Sequence, residues 1–138
     1  MTDLFLAKED IRKACIFDLD GVIVDTAKYH FVAWRNLANS LGFDFTEREN
    51  EKLKGVSRID SLNLILEWGG MNFSEKVKAN LAFSKNEDYL SYIKEMDESE
   101  ILPNVVGILE GIYKNPNYKI GLGSASKNAK LILDQVGL

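Results

Sequence analysis

Residues 14–26 have the sequence Ala-Cys-Ile-Phe-Asp-Leu-Asp-Gly-Val-Ile-Val-Asp-Thr, in which an apolar run ends in two carboxylates and a glycine. A short apolar run bounded by charge is typical of a strand buried on both faces of a parallel α/β sheet. Asp18 and Asp20 follow at its carboxyl end, and residues two apart on an extended backbone point the same way. We therefore expect both carboxylates to face one small volume beyond the sheet edge, where open α/β sheets bind ligands.

Two neighbouring carboxylates repel each other, and burying them without partners is costly. Magnesium is a hard cation that prefers oxygen ligands, so the pair predicts a magnesium site at Asp18 and Asp20. The structural alternative is a strand end followed by a turn, where Asp and Gly are common. The bare Asp-x-Asp-Gly pattern, taken alone, favours that alternative.

The composition is that of a globular protein with one compact domain or a small pair, since 46% of the 138 residues are hydrophobic and 28% are charged. The formal net charge of −4 supplies no basic surface, which argues against nucleic acid as a partner. No stretch is long and apolar enough to predict a membrane span or a secretory leader. The single cysteine, Cys15, has no partner for an internal disulfide, and we expect a buried thiol in a cytoplasmic protein.

The order of predicted elements indicates an α/β protein with a long helical insertion. Residues 1–12 are predicted to be an N-terminal arm, and a predicted helix over 27–41 begins a block without strands that extends to about residue 96. Within it, Thr46 with Glu49 predicts a capping box, and Ser57 and Ser74 are predicted N-caps. The predicted buried faces are Ile59, Leu62, Ile65 and Leu66 in the third helix and Val77, Leu81, Tyr89, Ile93 and Met96 in the fourth.

A second strand is predicted at 118–123, after a helix that follows Pro103. Its carboxyl end leads through Ser-Ala-Ser-Lys-Asn at 124–128 into the last helix. Hydroxyls, an ammonium and free N–H groups at the positive end of a helix dipole indicate an anion site. A serine N-cap followed by a solvated lysine is an equal alternative on this stretch alone.

Two further side chains have both a structural and a chemical interpretation. Arg58 follows the flexible Gly55 at a helix start and suits phosphate recognition, although the residues alone favour a surface charge. His30, the only histidine, shares a helix face with Trp34. It is either a hydrogen-bonded core residue or a group that positions Asp20.

Four segments, taken together, favour the chemical interpretations of these residues over the structural ones. They are residues 17–34 (Phe-Asp-Leu-Asp-Gly-Val-Ile-Val-Asp-Thr-Ala-Lys-Tyr-His-Phe-x-Ala-Trp), residues 53–62 (Leu-Lys-Gly-Val-Ser-Arg-x-Asp-Ser-Leu), Lys85-Asn86 and residues 124–128. In order and at similar spacing they resemble the beta-phosphoglucomutases, a family of haloacid dehalogenase-like phosphotransferases. The resemblance covers nearly the whole chain. It implies an α/β fold with a Rossmann-type core over 1–26 and 97–138 and an inserted all-helical cap over 27–96.

The resemblance also implies catalytic roles near the first strand. Asp18 is the expected phosphorylated nucleophile, Asp20 the general acid and base, and both are expected Mg²⁺ ligands. Thr26 is expected in the hinge between core and cap. His30 is expected to couple cap closure to catalysis.

By the same resemblance, Ser124 and Ala125 line the site of the transferring phosphate. The other phosphate is expected to contact Ser126, Lys127 and Asn128.

On the cap, the resemblance implies that Arg58, preceded by Gly55, reaches the second phosphate. Lys85 and Asn86 are expected substrate contacts.

The function implied is interconversion of beta-D-glucose 1-phosphate and glucose 6-phosphate through an aspartyl phosphate, with a sugar phosphate as partner. A small-molecule phosphatase on the same scaffold is one alternative. An inactive fragment that binds phosphate or a partner protein is another, because family members continue past the position that matches Leu138. The resemblance implies that this later part supplies a lysine and further acidic ligands for magnesium.

Overall fold

The structure, a computed structural model, describes residues 13–138, so the predicted N-terminal arm lies outside the described residues. Two parallel strands, β1 (Lys13–Phe17) and β2 (Tyr118–Leu122), form a sheet in which Phe17 stands opposite Leu122. The N–H of Gly123 donates to the carbonyl of Phe17 at 2.7 Å and extends the pairing past the last residues of the strands. The carboxyl ends therefore lie side by side, as predicted.

The rest of the described chain consists of six α-helices, one 3₁₀ turn and the loops that connect them. Their bounds are α1 (Ala27–Ser40), α2 (Glu47–Glu51), α3 (Arg58–Trp68), α4 (Glu75–Ile93), the 3₁₀ turn Glu98–Glu100, α5 (Val105–Tyr113) and α6 (Ala129–Val136). Residues 27–96 contain helices and turns and no strand, which confirms the predicted helical block. The division into core and cap domains stays a prediction.

The helix starts follow the predicted capping chemistry. Thr46 and Glu49 form a reciprocal capping box that opens α2. Ser57 accepts from the N–H of Asp60 at the start of α3, and Ser74 caps α4 in the same way. These short-range bonds satisfy N–H groups that have no partner inside the helix.

Two clusters of buried apolar side chains hold the elements together. One joins the residues after β1 to α1, α4 and α6, and consists of Leu19, Ile23, Val24, Ala33, Tyr89, Ile93, Met96, Ile132 and Val136. The other lies within the helical block and consists of Trp34, Leu37, Ala38, Phe45, Leu53, Leu62, Ile65, Leu66 and Ala82. Because α1 contributes to both clusters, it connects the strand ends to the helical block.

The predicted burial of β1 on both faces is wrong. The side chain of Ile16 is 73% exposed, and Cys15 is half-buried rather than buried. Among the described elements, α5 makes the main helical contact with the sheet, so much of the sheet surface has no covering layer. Ile59 and Val77, predicted to be buried, are also exposed, because they stand in the first turns of α3 and α4.

Every helix within residues 13–138 is too short or too polar to cross a lipid bilayer.

Candidate active site

The acidic pair lies directly after β1. Asp18 is exposed, and its Oδ1 accepts the N–H of Leu19 at 2.7 Å. Asp20 is partly buried and accepts a hydrogen bond from the hydroxyl of Thr26. Thr26 is fully buried just before α1, so it restrains the orientation of the Asp20 carboxylate.

Negative charge accumulates at this strand end. Burial raises the pKa of Asp20 above its ordinary value, and the neighbouring charges of Asp18 and Asp25 raise it further. The proton on Asp20 is therefore held more tightly than on a solvated carboxyl group, which suits a general acid.

The two carboxylates fit a magnesium ion. Residues 13–138 hold no group of three or more His, Cys, Asp or Glu side chains suited to a metal. Magnesium, however, commonly binds one or two carboxylates and fills its other positions with water and substrate phosphate oxygens. Asp18 and Asp20 supply that donor set, and their role as metal ligands stays a prediction.

A buried basic group lies between α1 and α4. The side chain of Lys85 is 3% exposed, and its Nζ donates to Nδ1 of His30 at 2.9 Å. The ammonium lies 4.4 Å from the centroid of the Trp34 ring and 5.0 Å from that of Tyr89. The ring of His30 stacks on Tyr89 with centroids 4.1 Å apart. One lysine is thus enclosed by three aromatic rings.

This environment shifts both basic side chains toward their neutral forms. Burial lowers the pKa of Lys85 to about 7, with the Arg58 charge adding to the effect and Asp88 opposing it. Burial lowers the pKa of His30 to about 3, with contributions from the charges of Lys85 and Arg58. His30 is therefore neutral near pH 7 and able to accept from Lys85. Arg58, partly buried at the start of α3, belongs to the same basic group, hereafter the α1/α3/α4 basic group.

The loop after β2 is ordered by its own serines. Ser124 accepts the N–H of Ser126 at 3.1 Å, and Ser126 accepts the N–H of Asn128 at 3.2 Å. Asn128, rather than a serine, is the N-cap residue of α6, and its side chain makes no capping bond. Its amide instead donates to Asn86 on α4 at 3.2 Å. The serine N-cap of that alternative is therefore wrong, whereas Lys127 is exposed, as the same alternative expected.

The predicted site residues fall into three groups. They are Asp18, Asp20 and Thr26 at the first strand end; His30, Arg58 and Lys85 between the helices; and Asn86, Ser124, Ser126 and Asn128 beside the second strand end. The strand register places the first and third groups at one edge of the sheet. Gly55, Ala125 and Lys127 are exposed and take no part in these contacts.

Sequence reasoning missed the aromatic residues of the site. Tyr89 was predicted only on a buried helix face, and Trp34 only as a residue that shares a helix face with His30. Each stands four residues after a predicted site residue, Tyr89 after Lys85 and Trp34 after His30. Side chains four apart share a helix face, so this spacing could have identified both.

Comparisons with known proteins agree with this arrangement. The family model for haloacid dehalogenase-like hydrolases matches residues 12–138. A Bacillus subtilis protein named beta-phosphoglucomutase is 44% identical over 91% of this chain and 56% of its own length. A Thermotoga maritima phosphorylated carbohydrates phosphatase is 28% identical over 83% of this chain and 50% of its own length.

Among solved structures, a beta-phosphoglucomutase from Clostridium difficile superposes with a TM-score of 0.85 at 48% identity, covering 93% of this chain and 57% of that one. The chain thus spans about half the length of the curated relatives it matches.

Proposed function

The chain belongs to the haloacid dehalogenase-like hydrolase family, and from this premise we propose that the complete protein interconverts beta-D-glucose 1-phosphate and glucose 6-phosphate through an aspartyl phosphate. Its fold is the Rossmann-type fold of that family, with a short parallel sheet and mostly helical content. One observation carries the proposal. The strand register places the acidic pair and the loop after β2 at one edge of the sheet, and Asn128 of that loop donates to Asn86 of α4 at 3.2 Å, next to Lys85 of the α1/α3/α4 basic group.

The acidic pair supplies the chemistry of transfer. The Asp18 carboxylate attacks phosphorus and forms the acyl phosphate, while the departing sugar oxygen takes a proton from Asp20. In the return step Asp20 accepts the proton of the attacking sugar hydroxyl, and the phosphoryl group leaves Asp18.

Asp18 and Asp20 would hold the Mg²⁺ typical of the family, which when bound neutralises charge on the transferring phosphoryl oxygens. The hydroxyl of Ser124 and the backbone of Ala125, at the same sheet edge, are proposed to line that phosphate.

The second phosphate of a sugar bisphosphate is proposed to meet Arg58, with Lys85 and Asn86 contacting the sugar. Ser126, Lys127 and Asn128 complete this second site from the loop after β2. The contact between Asn86 and Asn128 supports the grouping, because it already joins α4 to that loop.

We also propose that residues 27–96 form a cap that moves relative to a core built from 1–26 and 97–138. The two connections between these parts run side by side, since Val24 bridges Ile101 and the N–H of Leu102 donates to Ile23 at 2.8 Å. Paired connections of this kind suit a hinge, because both connecting segments can bend at one place. Thr26, the last core residue before the first connection, and His30, on the cap side of it, are placed to couple such motion to Asp20.

The alternative is phosphatase chemistry, in which water discharges the aspartyl phosphate. The phosphatase relative shows that this family supports such chemistry. The α1/α3/α4 basic group favours the mutase, because a reaction that proceeds through a bisphosphate must hold a second phosphate on the far side of the sugar.

The test is a single assay of the complete protein with Mg²⁺, beta-glucose 1-phosphate and a trace of an activated phosphoryl donor. Phosphorus NMR follows glucose 6-phosphate and inorganic phosphate in the same sample. We expect glucose 6-phosphate to form in large excess over inorganic phosphate. Release of inorganic phosphate without isomerisation would identify a phosphatase. Formation of neither product would support the alternative that the protein only binds phosphate or a partner protein.

A further inference from the structure

The N-terminus of α1 has no side-chain cap of its own. Its N-cap residue, Thr26, makes no capping bond, because its hydroxyl donates to the carboxylate of Asp20. A helix that lacks a side-chain cap loses about 1 kcal/mol of stability, since its first N–H groups have one acceptor fewer. The first turn also contains no acidic residue that could offset this loss. The start of α1 therefore depends on contacts from outside the helix.

Glu100, the last residue of the 3₁₀ turn, supplies such contacts. Its Oε2 accepts from Nζ of Lys28 at 2.7 Å, and its Oε1 accepts from the hydroxyl of Tyr29 at 2.5 Å. Lys28 and Tyr29 are consecutive residues of the first turn of α1, so one carboxylate binds this turn at two points. The bonds from Lys28 and Tyr29 lower the pKa of Glu100, which is therefore ionised at neutral pH and accepts through both oxygens.

The ring of Tyr29 is packed as well as bonded. It stacks on the ring of Tyr92 in α4, with centroids 5.9 Å apart and an interplanar angle of 10°. The ammonium of Lys28 lies 5.0 Å from the centroid of the Tyr29 ring. Because the ring is restrained in this way, the bond from its hydroxyl to Glu100 fixes the position of the helix backbone as well as that of the side chain.

Glu100 is in turn fixed against the loop between β1 and α1. The next two residues pair with that loop, since Val24 forms a β-bridge with Ile101 and the N–H of Leu102 donates to the carbonyl of Ile23 at 2.8 Å. The contacts thus form a closed circuit, which runs from the loop through Glu100 to the first turn of α1 and back to the loop.

We propose that Glu100 is a positioning residue for phosphoryl transfer, which holds the start of α1 so that Thr26 keeps the Asp20 carboxyl group in its reactive orientation. The link from the helix to Thr26 is direct, since the N–H groups of Tyr29 and His30 donate to the Thr26 carbonyl at 3.0 and 3.2 Å. Glu100 acts through these bonds and not on the substrate. The inference rests on the proposed function, because it requires Asp20 to transfer a proton.

The test compares Glu100→Ala with Asp134→Asn in the complete protein. Asp134 is the matched control, because it also accepts from a lysine, Lys130 at 2.9 Å, but within the single helix α6. Glu100→Ala should lower kcat for beta-glucose 1-phosphate about tenfold, below the roughly hundredfold loss that a displacement of about 1 Å can cause, with KM changed by less than about twofold. Asp134→Asn should leave both parameters unchanged.

Two readouts distinguish positioning from a loss of stability. Acetyl phosphate phosphorylates Asp18 with acetate as the leaving group, which needs no proton, so Glu100→Ala should leave that rate within about twofold of wild type. In the Glu100→Ala background, Tyr29→Phe should lower kcat no further, because the bond that it removes is already lost. Glu100→Gln keeps one acceptor oxygen, so it should show a smaller loss with the same dependence on the leaving group, and it replaces Glu100→Ala if that variant does not fold.

Equal losses with acetyl phosphate and the sugar phosphate, in Glu100→Ala or Glu100→Gln, would overturn the proposal. An unchanged kcat in Glu100→Ala would do the same, as would a further loss from Tyr29→Phe in that background or an equal effect of Asp134→Asn. If the wild-type protein proves to be a phosphatase, the comparison is made on hydrolysis of phosphate esters with poor and good leaving groups. Positioning of Asp20 then predicts a loss confined to the poor ones, and a uniform loss would refute the role of Glu100.

Discussion

Lys85 shows how single residues define this site, because a full charge is buried with few polar partners. An ammonium taken out of water costs several kcal/mol. The faces of Trp34 and Tyr89 and the nitrogen of His30 return only part of this, since a desolvated cation–π contact contributes about 2 kcal/mol. The remaining cost appears as the lowered pKa of Lys85, about 7.

We predict that Lys85→Met changes the pH dependence of stability. Between pH 7 and the unfolded lysine pKa near 10.4, the unfolded chain holds a proton that the folded chain has lost. Below pH 7 the folded state therefore carries the full free-energy cost of burying the charged Lys85 ammonium. This cost disappears as the pH rises through this window. The free energy of unfolding of the variant minus that of wild type should fall by roughly 4 kcal/mol from pH 6.5 to pH 10.5, at 1.36 kcal/mol per pKa unit.

Urea unfolding at several pH values measures this difference, and Lys94→Met, an exposed lysine just after α4, is the control. The control should show no such slope. A Lys85→Met difference that is the same at every pH would contradict the prediction, because the buried charge would then not be linked to folding.

We predict that Asp18→Asn abolishes the covalent intermediate. The amide keeps the size of the side chain and loses the attacking charge, so acid quenching after exposure of the complete protein to a labelled phosphoryl donor should trap no phosphoenzyme. Asp25→Asn removes a nearby exposed carboxylate and should retain labelling. Retained labelling of Asp18→Asn would refute its assignment as nucleophile.

At the scale of elements, the sequence predicts what depends on neighbouring residues. The capping residues Thr46, Ser57 and Ser74 were identified correctly because each bonds to an N–H three residues ahead. The parallel strands followed from α/β order and the register of their polar ends. Exposure of Ile16 could not be predicted in this way, because it depends on which layers cover the sheet.

The same distinction between local sequence and tertiary packing holds for the residues of the candidate site. Asp18, Asp20 and Thr26 are close in sequence, so their proximity was predictable from a strand and a turn. The bond between His30 and Lys85 joins residues 55 apart, and a helix pattern does not specify which partner helix it meets. The buried hydroxyl of Tyr89, which has no partner among the described residues, depends on that same packing, which is why no local pattern revealed it.

We predict opposite effects for two glycine substitutions in helices. A Cβ added at Gly69, which ends α3, would lie 2.5 Å from the ring of Phe43, so Gly69→Ala should destabilise the protein by about 1–3 kcal/mol. Gly107 lies inside α5 with no atom within 4 Å of an added Cβ, so Gly107→Ala should stabilise it by up to about 1 kcal/mol.

Urea unfolding of both variants measures the two effects. Adding Phe43→Leu to Gly69→Ala should recover part of the loss, since the ring is what the new methyl group meets. Equal stabilities for the Gly69→Ala and Gly107→Ala proteins would contradict the contact with Phe43.

At the scale of the whole molecule, the two buried clusters have different roles. The helical block has its own core, whereas the other cluster joins α1, α4 and α6 to the residues after β1. A salt bridge from Lys28 and a hydrogen bond from the Tyr29 hydroxyl, both to Glu100, add to this link between α1 and the second connection. Movement of the helical block would therefore act directly on Asp20, which lies within the same loop as Leu19 and Ile23.

We predict that Arg58→Ala distinguishes mutase from phosphatase. A bisphosphate that reacts in both orientations needs an anion site on the far side of the sugar from Asp18, and closure over that site excludes water from the aspartyl phosphate. Hydrolysis of a small activated phosphate needs neither. Arg58→Ala in the complete protein should therefore lower kcat/KM for beta-glucose 1-phosphate, with a loss of transition-state stabilisation of about 2 to 4 kcal/mol, the scale for truncating one side of a desolvated charge pair. It should reduce hydrolysis far less.

Arg35→Ala is the matched control, because Arg35 is an exposed arginine of the helical block whose Nε lies 3.3 Å from Asp44. It should leave both reactions unchanged. Equal loss of isomerisation and hydrolysis in Arg58→Ala would mean that this arginine supports the transferring phosphate or the fold, and not a second phosphate. The mutase interpretation would then lose its structural basis, since the α1/α3/α4 basic group would have no role that a phosphatase lacks.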